Sequence, residues 1–284
     1  MLKLKQLIQT GKTVWAAGAY DALSARLIQE AGFDAVMTSG YGISSSFLGE
    51  PDTELYTMTE NLAVVRNVCN AVTIPVIADI DTAYGNPVSA MRTMREFENA
   101  GASAVIVEDQ VSPKRCPCTS DIIDIVPMEE AVNKIRAMVA KRKNPDLVII
   151  ARTDAMVPEE AIRRGRAYVA AGADVIQPIS KCFKDFAGLK AMREGCGVPL
   201  SLQLLAWLEK DLDRKQIEEV ACVATYPLVA LMSATQAIRT NLRTLADSKS
   251  SKALPLEVTS LHDFNDFIGF PRVDALQRQY MNAA

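Results

Sequence analysis

Eight short runs of aliphatic, largely β-branched residues recur along this chain, each followed by a polar loop and then an amphipathic stretch. They are residues 13–17 (TVWAA), 34–38 (DAVMT), 75–79 (PVIAD), 104–108 (AVIVE), 147–152 (LVIIAR), 174–177 (DVIQ), 199–203 (PLSLQ) and 221–225 (ACVAT). The runs are continuously apolar. A strand with one wet face alternates polar and apolar residues, whereas a strand covered on both faces does not, so the pattern predicts parallel strands buried between layers. Helices are expected over 19–31, 62–72, 87–100, 128–141, 158–171, 183–194 and 230–245. Pro87 and Pro158 stand where a first helical turn accepts proline, and Gly32, Gly101 and Gly172 stand where a helix ends just before the next strand. Eight such units predict an α/β fold, a (β/α)8 TIM-type barrel over residues 1–245. An open doubly wound sheet is the alternative, but no glycine-rich phosphate fingerprint follows the first run. Residues 246–284 read as a polar linker and a C-terminal helical tail. Leu261, Phe264, Phe267, Ile268, Leu276 and Tyr280 in that tail need an apolar partner, either this barrel or a neighbouring subunit.

Composition narrows the class. A chain of 284 residues with 49 % hydrophobic side chains can bury a large core without disulfide or zinc staples. A net charge of −3 argues against a nucleic-acid partner, which calls for a basic face. No apolar run approaches the ~20 residues of a membrane span, and the N-terminal MLKLKQLIQTGK is too polar for a signal peptide, so a cytoplasmic protein without a membrane partner is expected. The six cysteines are scattered, as free thiols in a reducing compartment would be, and a single histidine, His262, argues against a histidine-built zinc site.

In a barrel of this kind the strand C-termini and the loops after them form the active-site mouth. Here those ends are acidic. Asp79 and Asp81 follow the third strand, and two residues apart on a strand they would share a face; Glu108 ends the fourth. Oxygen ligands with an open side suit Mg²⁺, and ordinary ion pairs with Arg152 and Lys114 are the bland alternative. Arg152 ends a wholly apolar strand, where a guanidinium needs an anion: a substrate carboxylate, or again Asp79 or Glu108. The loop 110–120 (QVSPKRCPCTS) sets Lys114 and Arg115 beside Cys116, a setting that lowers a thiol pKa and suits a lid carrying a proton donor; an incidental surface cysteine is the alternative. Ser39 and Gly40 after the second strand offer backbone N–H groups to an oxyanion, or simply form a turn.

Three segments, DIDTAYGN (79–86), IVEDQVSPKRC (106–116) and IIARTDA (149–155), resemble the isocitrate lyase/phosphoenolpyruvate mutase superfamily, in particular its methylisocitrate lyase/dimethylmalate lyase-like branch. Residues 19–36 and the SFLGEPD stretch (46–52) extend the likeness from about residue 19 to 239. The resemblance implies a barrel whose last helix is exchanged between subunits of a homo-oligomer, typically a dimer of dimers, which would give the apolar tail its partner. It implies Mg²⁺ or Mn²⁺ at Asp79, Asp81 and Glu108, partly through water, with a substrate carboxylate on Arg152. Ser39, Gly40 and Tyr41 would hold the oxo-acid end, with Asp52 near the site. It makes Cys116 the acid that protonates a departing enolate, in a catalytic set with Lys114, Arg115 and Glu108. The chain departs from the lyase pattern at Pro117-Cys118, where Gly-His is usual, at Ile179 in place of a glutamate, and at Gln203–Trp207 (QLLAW) in place of a more polar segment. Those departures point away from tricarboxylates. The expectation is a Mg-dependent carbon–carbon lyase acting on a small 2-hydroxy or 2-oxo dicarboxylate of alkylmalate type, with Gln203 among the substrate contacts. The alternatives are oxaloacetate decarboxylation or hydrolysis, phosphonopyruvate hydrolysis or mutation, and a barrel that binds without catalysis.

Overall fold

A computed structural model describes residues 3–281. The strands are β1 (Val14–Ala19), β2 (Ala35–Thr38), β3 (Val76–Asp79), β4 (Ala104–Glu108), β5 (Val148–Thr153), β6 (Val175–Pro178), β7 (Leu200–Gln203) and β8 (Ala221–Tyr226). All are parallel, they pair in chain order, and β8 returns to β1, so the sheet is a closed barrel rather than the open alternative.

The continuous apolar character of the strands has its reason in the two layers they separate. Ile77, Ile106, Val148, Ile150 and Val175 cluster with Met37 and Val14 in one core. Ala78, Val105, Val107 and Ile149, the alternate positions, pack with Met94, Phe97 and Met138 of the surrounding helices in another. Leu4, fully buried on the short helix Leu4–Gln9, joins the first of these cores. Burying a leucine this completely stabilises the fold by about 1.5–3 kcal/mol.

Local signals place most helix boundaries. Asn86 caps Pro87–Asn99 by accepting from the N–H groups of Val88 and Ser89, each at 3.0 Å. Gly32, Gly101 and Gly172 all take positive φ where their helices end. The helix expected over 62–72 spans Met58–Ala71 instead, because Thr57 and Glu60 form a capping box ahead of the apolar stripe. A further helix, Arg214–Val220, lies between β7 and β8; it is short and buries only Ile217 and Val220, too little periodicity to read. Gly18 is required by close approach, since a Cβ there would lie 2.0 Å from the Pro227 carbonyl oxygen.

The chain divides into two compact units, one ending at Met232 and one beginning at Ser233. Helix Val229–Ser248 runs through the expected 245/246 boundary. The second unit continues with helices Leu261–Ile268 and Phe270–Tyr280, which meet at Gly269. None of these three helices buries a side chain, and Leu242, Leu261, Phe270 and Tyr280 are exposed. Among the described residues no helix is long and apolar enough to cross a membrane.

Candidate active site

The mouth of the barrel is organised by the turn after β3. Asp79 is the last strand residue; Asp81, Ala83 and Tyr84 then take positive φ of 49°, 66° and 55°. The two aspartates therefore do not pair by strand alternation, as the sequence suggested. The chain turns left-handed, and the Asp81 N–H donates to Asp79 Oδ1 at 3.2 Å. Left-handed conformations at non-glycine residues cost of order 1–3 kcal/mol each and persist only where surrounding contacts hold them. Tyr84 donates its hydroxyl to Asp81 Oδ2 (3.0 Å), and Asn61 donates to the Tyr84 hydroxyl (2.7 Å) and the Asp79 carbonyl (2.8 Å). From outside the barrel, Lys134 donates to the Thr82 carbonyl (3.2 Å).

Lys114 enters this turn from the loop after β4. Its ammonium is 2.6 Å from Asp81 Oδ1, 3.0 Å from Asp52 Oδ1 and 3.9 Å from Glu108 Oε1, and its side chain is 2 % exposed. Arg152 lies 2.9 Å from Glu108 Oε2 and 2.7 Å from Asp154 Oδ1. Five buried or half-buried carboxylates, Asp52, Asp79, Asp81, Glu108 and Asp154, thus meet two cations. Burial pushes Asp79 up to about 6, with the Asp81 charge adding to it. Burial likewise raises Glu108 well above the usual carboxylate range despite Arg152 and Lys114. Burial also opposes ionisation of Asp81, but the Lys114 ammonium outweighs it and holds that carboxyl low. Both Glu108 oxygens, Asp81 Oδ1 and Asp52 Oδ1 accept no well-aligned hydrogen bond. Gly40 makes room here: a Cβ on it would stand 2.9 Å from the Tyr56 hydroxyl and 3.2 Å from Asp79 Oδ2.

Beside the cluster lies a cavity of about 350 Å³. Ser39, Gly40, Tyr41, Asp52, Asp79, Cys116, Arg152 and Gln203 all line it. So do Met37, Cys118 and Gln177, and an apolar wall of Pro117, Ile179, Leu205, Pro227 and Leu228. Its floor is a small polar network. Gln177 Oε1 accepts from Ser201 Oγ (2.9 Å) and Gln203 Nε2 (3.4 Å), while Gln203 Oε1 is buried without a partner. The loop carrying Cys116 is fastened at both ends. Glu54 accepts from the Lys114 N–H (3.2 Å) and from the Thr82 hydroxyl, and Lys181 after β6 donates to the Ser120 carbonyl (3.0 Å). Cys116 is buried while Cys118 is exposed. Hydrogen bonds from the Cys118 side chain and backbone lower the Cys116 thiol to about 6, against the opposing effect of burial.

Most of the residues singled out from sequence therefore converge. Glu108 is not among the residues that line the cavity and sits behind Arg152, in a smaller void with Lys134 and Tyr168. Arg115 does not converge: its side chain is half exposed and turns 3.4 Å from Asp124, because alternate residues of the extended loop face opposite ways and Lys114 takes the inward one. The Ser39 N–H is spent on the Ala19 carbonyl (2.8 Å), and its hydroxyl caps the Gly42 N–H (3.2 Å). Sequence reasoning missed Asn61 and Tyr84, which hold the aspartates, Tyr56, whose buried hydroxyl stands beside them at Gly40, and Glu54, which fastens the loop. It also missed Asp154, the second partner of Arg152; only its spacing two residues on could have suggested it.

Comparison with known proteins gives a consistent picture. A family model described as phosphoenolpyruvate phosphomutase matches residues 4–245. The chain is 37 % identical to 2,3-dimethylmalate lyase of Eubacterium barkeri over 98 % of its own length and 97 % of that protein's. It superposes on the crystal structure of a phosphoenolpyruvate phosphomutase from Streptomyces platensis subsp. rosaceus with TM-score 0.92, 30 % identity and 98 % coverage of each chain. A phosphonopyruvate hydrolase in complex with oxalate and Mg²⁺ is similar at TM-score 0.89, 30 % identity and 98 % coverage of both.

Proposed function

The chain belongs to the phosphoenolpyruvate mutase/isocitrate lyase superfamily, and from that premise we propose that it is a carbon–carbon lyase cleaving a small 2-hydroxy or 2-oxo dicarboxylate of alkylmalate type. The observation that carries this reading is the Cys116 thiol, buried against the same cavity as Arg152 and the carboxylate cluster. An enolate formed by cleavage needs a proton at carbon, and Cys116 stands where one can be delivered. The full-length likeness to a dimethylmalate lyase supports the same reaction class.

The donor set fits Mg²⁺ or Mn²⁺. It is all hard oxygen, the carboxylates outnumber the cations, and several buried oxygens lack an aligned donor. Among the described residues no three acidic, cysteine or histidine side chains form a group that could hold a metal ion by themselves. Asp79, Asp81 and Glu108 would hold the ion, and the chemistry it supplies is polarisation of the substrate's hydroxy or oxo oxygen and adjacent carboxylate. A relative's structure holds Mg²⁺ with oxalate.

The chain's own residues do the rest. Arg152 offers its guanidinium to a substrate carboxylate, with Glu108 and Asp154 holding its plane. Ser39, Gly40 and Tyr41 border the oxo-acid end. Glu108, between Lys114 and Arg152, completes the carboxylate cluster behind them. The loop 110–120 shields the enolate from water. The apolar wall of Ile179, Leu205 and Leu228 accommodates an alkyl group at C3 better than a third carboxylate, since an unpaired charge there would be desolvated. The unburied apolar faces of the C-terminal helices fit docking on a second copy, as in a helix-exchanged homo-oligomer, and six free thiols fit a reducing, cytoplasmic setting.

The test is release of pyruvate or glyoxylate from malates, alkylmalates, isocitrates, oxaloacetate and phosphonopyruvate, with Mg²⁺ and with chelator. Chelator-sensitive cleavage of an alkylmalate is the expected result, with turnover lost in Cys116→Ser and affinity little changed. Turnover of only oxaloacetate or phosphonopyruvate would move the protein to another branch, and full activity of Cys116→Ser would refute the thiol's role.

A further inference from the structure

A dicarboxylate brings two separated negative charges into the cavity, and cleavage adds to one of them, because the electron pair of the broken C2–C3 bond spreads into the carboxylate distal to the hydroxyl. That carboxylate needs a cation. Among the described residues that line the cavity, Arg152 and Lys181 carry the positive charge. Lys114 is spent on Asp52 and Asp81, and Arg115 faces Asp124. Arg152 is fixed in the barrel wall: Glu108 and Asp154 hold it, and it pairs in register with Gln177 of β6. Lys181 lies beyond the C-terminal end of β6, in the turn that follows Pro178. This turn is held by its backbone. The Ile179 N–H donates to the Thr153 carbonyl of β5 (3.2 Å), the Cys182 N–H to the Ile179 carbonyl (3.2 Å), and the Trp207 indole N–H to the Ser180 carbonyl (2.6 Å). From it the Lys181 ammonium reaches the end of the loop over the cavity, donating to the Ser120 carbonyl (3.0 Å) and to Asp121 Oδ1 (2.9 Å). The Asp121 side chain is 95 % exposed, and an ion pair with so wet a partner is worth little. The ammonium thus stands at the cavity with a partner it can exchange for a less hydrated carboxylate at small cost.

We propose that Lys181 binds the substrate's distal carboxylate and so selects a diacid over a 2-hydroxy monoacid. The inference rests on the lyase reading above for the reaction it serves, while the diacid contact itself is measurable without turnover. Arg152 and the Ser39–Tyr41 border take the oxo-acid end, the alkyl group meets the apolar wall of Ile179 and Leu205, and the far carboxylate pairs with the Lys181 ammonium at the rim. An ammonium has three donors, so Lys181 keeps the Ser120 carbonyl while its Asp121 contact gives way to the substrate. One cation then holds both the diacid and the end of the loop that covers it. A substrate without a second carboxylate leaves the ammonium on Asp121 and gains nothing from it. Charge grows on the distal carboxylate as the enolate forms, so the contact strengthens on the way to the transition state and serves rate as well as affinity.

The experiment uses the full chain with Mg²⁺, as wild type, Lys181→Met, Lys181→Arg and Asp121→Asn. Calorimetric titration gives the affinities of oxalate, which is too short to reach past the oxo-acid end, and of succinate, whose two carboxylates are separated. Steady-state kinetics gives kcat and KM on the diacid identified by the substrate panel. In Lys181→Met, succinate binding weakens about tenfold or more, the factor for losing a hydrogen bond between charged groups, while oxalate affinity stays within about twofold. KM for the diacid rises by a similar factor and kcat falls as well. Lys181→Arg recovers most of the succinate affinity. Asp121→Asn, which frees the ammonium, binds succinate at least as tightly as wild type. Unchanged succinate affinity in Lys181→Met, or an equal loss of oxalate and succinate, overturns the assignment. Equal weakening of succinate by Asp121→Asn makes Lys181 a fastener of the loop alone and overturns it too. Selective loss of succinate binding in Lys181→Met, in a protein that cleaves no diacid, refutes the lyase reading and supports the diacid contact.

Discussion

Replacing Gly40 with alanine isolates the contribution of one missing methyl group to the site. The added Cβ would lie 2.9 Å from the Tyr56 hydroxyl, 3.2 Å from Asp79 Oδ2 and 3.4 Å from Asp81 Oδ1. Tyr56 is 2 % exposed and cannot retreat, so the aspartates must give by a few tenths of an ångström. Gly40 is helical, and its backbone suits alanine without strain. Overpacking of this kind costs about 1–3 kcal/mol, and for a chain of this size each kcal/mol lowers Tm by about 2–4 °C, so Tm should fall by about 2–12 °C with the barrel intact. Activity should suffer more. Displacing catalytic groups by ~1 Å costs about 100-fold, and the smaller shift here predicts a ~10–100-fold loss in kcat/KM, or about 1.4–2.7 kcal/mol. The assay is steady-state cleavage of the panel diacid across a Mg²⁺ titration, beside a thermal melt and circular dichroism. A Gly40→Ala protein with wild-type kcat/KM and Mg²⁺ dependence would refute the claim that this glycine makes room for the carboxylates.

Three further outcomes are expected. The Asp79 carboxyl is raised to about 6 in the fold from an ordinary value near 3.8, so the stability it contributes is present below about 4 and is lost as pH rises through about 6; metal-free protein should melt lower at pH 7 than at pH 5 from this group, and Mg²⁺ should raise Tm more at pH 7, while a Mg²⁺ shift independent of pH would contradict the assignment. Tyr168→Phe removes a 2.6 Å hydrogen bond to the buried Asp109 carboxylate, which also holds the Asp154 N–H (2.8 Å) and Thr153 hydroxyl (2.9 Å); chemical denaturation should show a loss of about 1.5–3 kcal/mol, and a change under 0.5 would deny that network a structural role. Deleting residues 249–284 should lower the mass measured by light scattering if the exposed apolar face of that segment docks on another copy, and an unchanged mass would exclude it from the interface.

Much of the fold was legible because its signals are local. Short runs apolar on both faces fit strands between two layers, and eight of them with helical stretches between favour a barrel over an open sheet. Pro87, Gly32, Gly101 and Gly172 mark boundaries through their own backbone preferences. Strand ends also nominated the polar residues of the mouth, since barrel geometry places those ends together whatever the loops do. Other features were decided only by the tertiary structure. Strand alternation stops where the strand stops, so the left-handed turn that sets Asp81 beside Asp79 had no periodic signature. Lys114 and Arg115 are adjacent cations in sequence, yet one is swallowed by three carboxylates and the other faces Asp124. Tyr56, Asn61 and Tyr84 looked like ordinary core or loop residues until closure of the barrel brought them against the aspartates. The sequence by itself determined the barrel and the inventory of reactive groups, because both follow from residue type and local period. Only the closed barrel decided which of those groups touch, because their separations are set by loops from different strands converging on one opening.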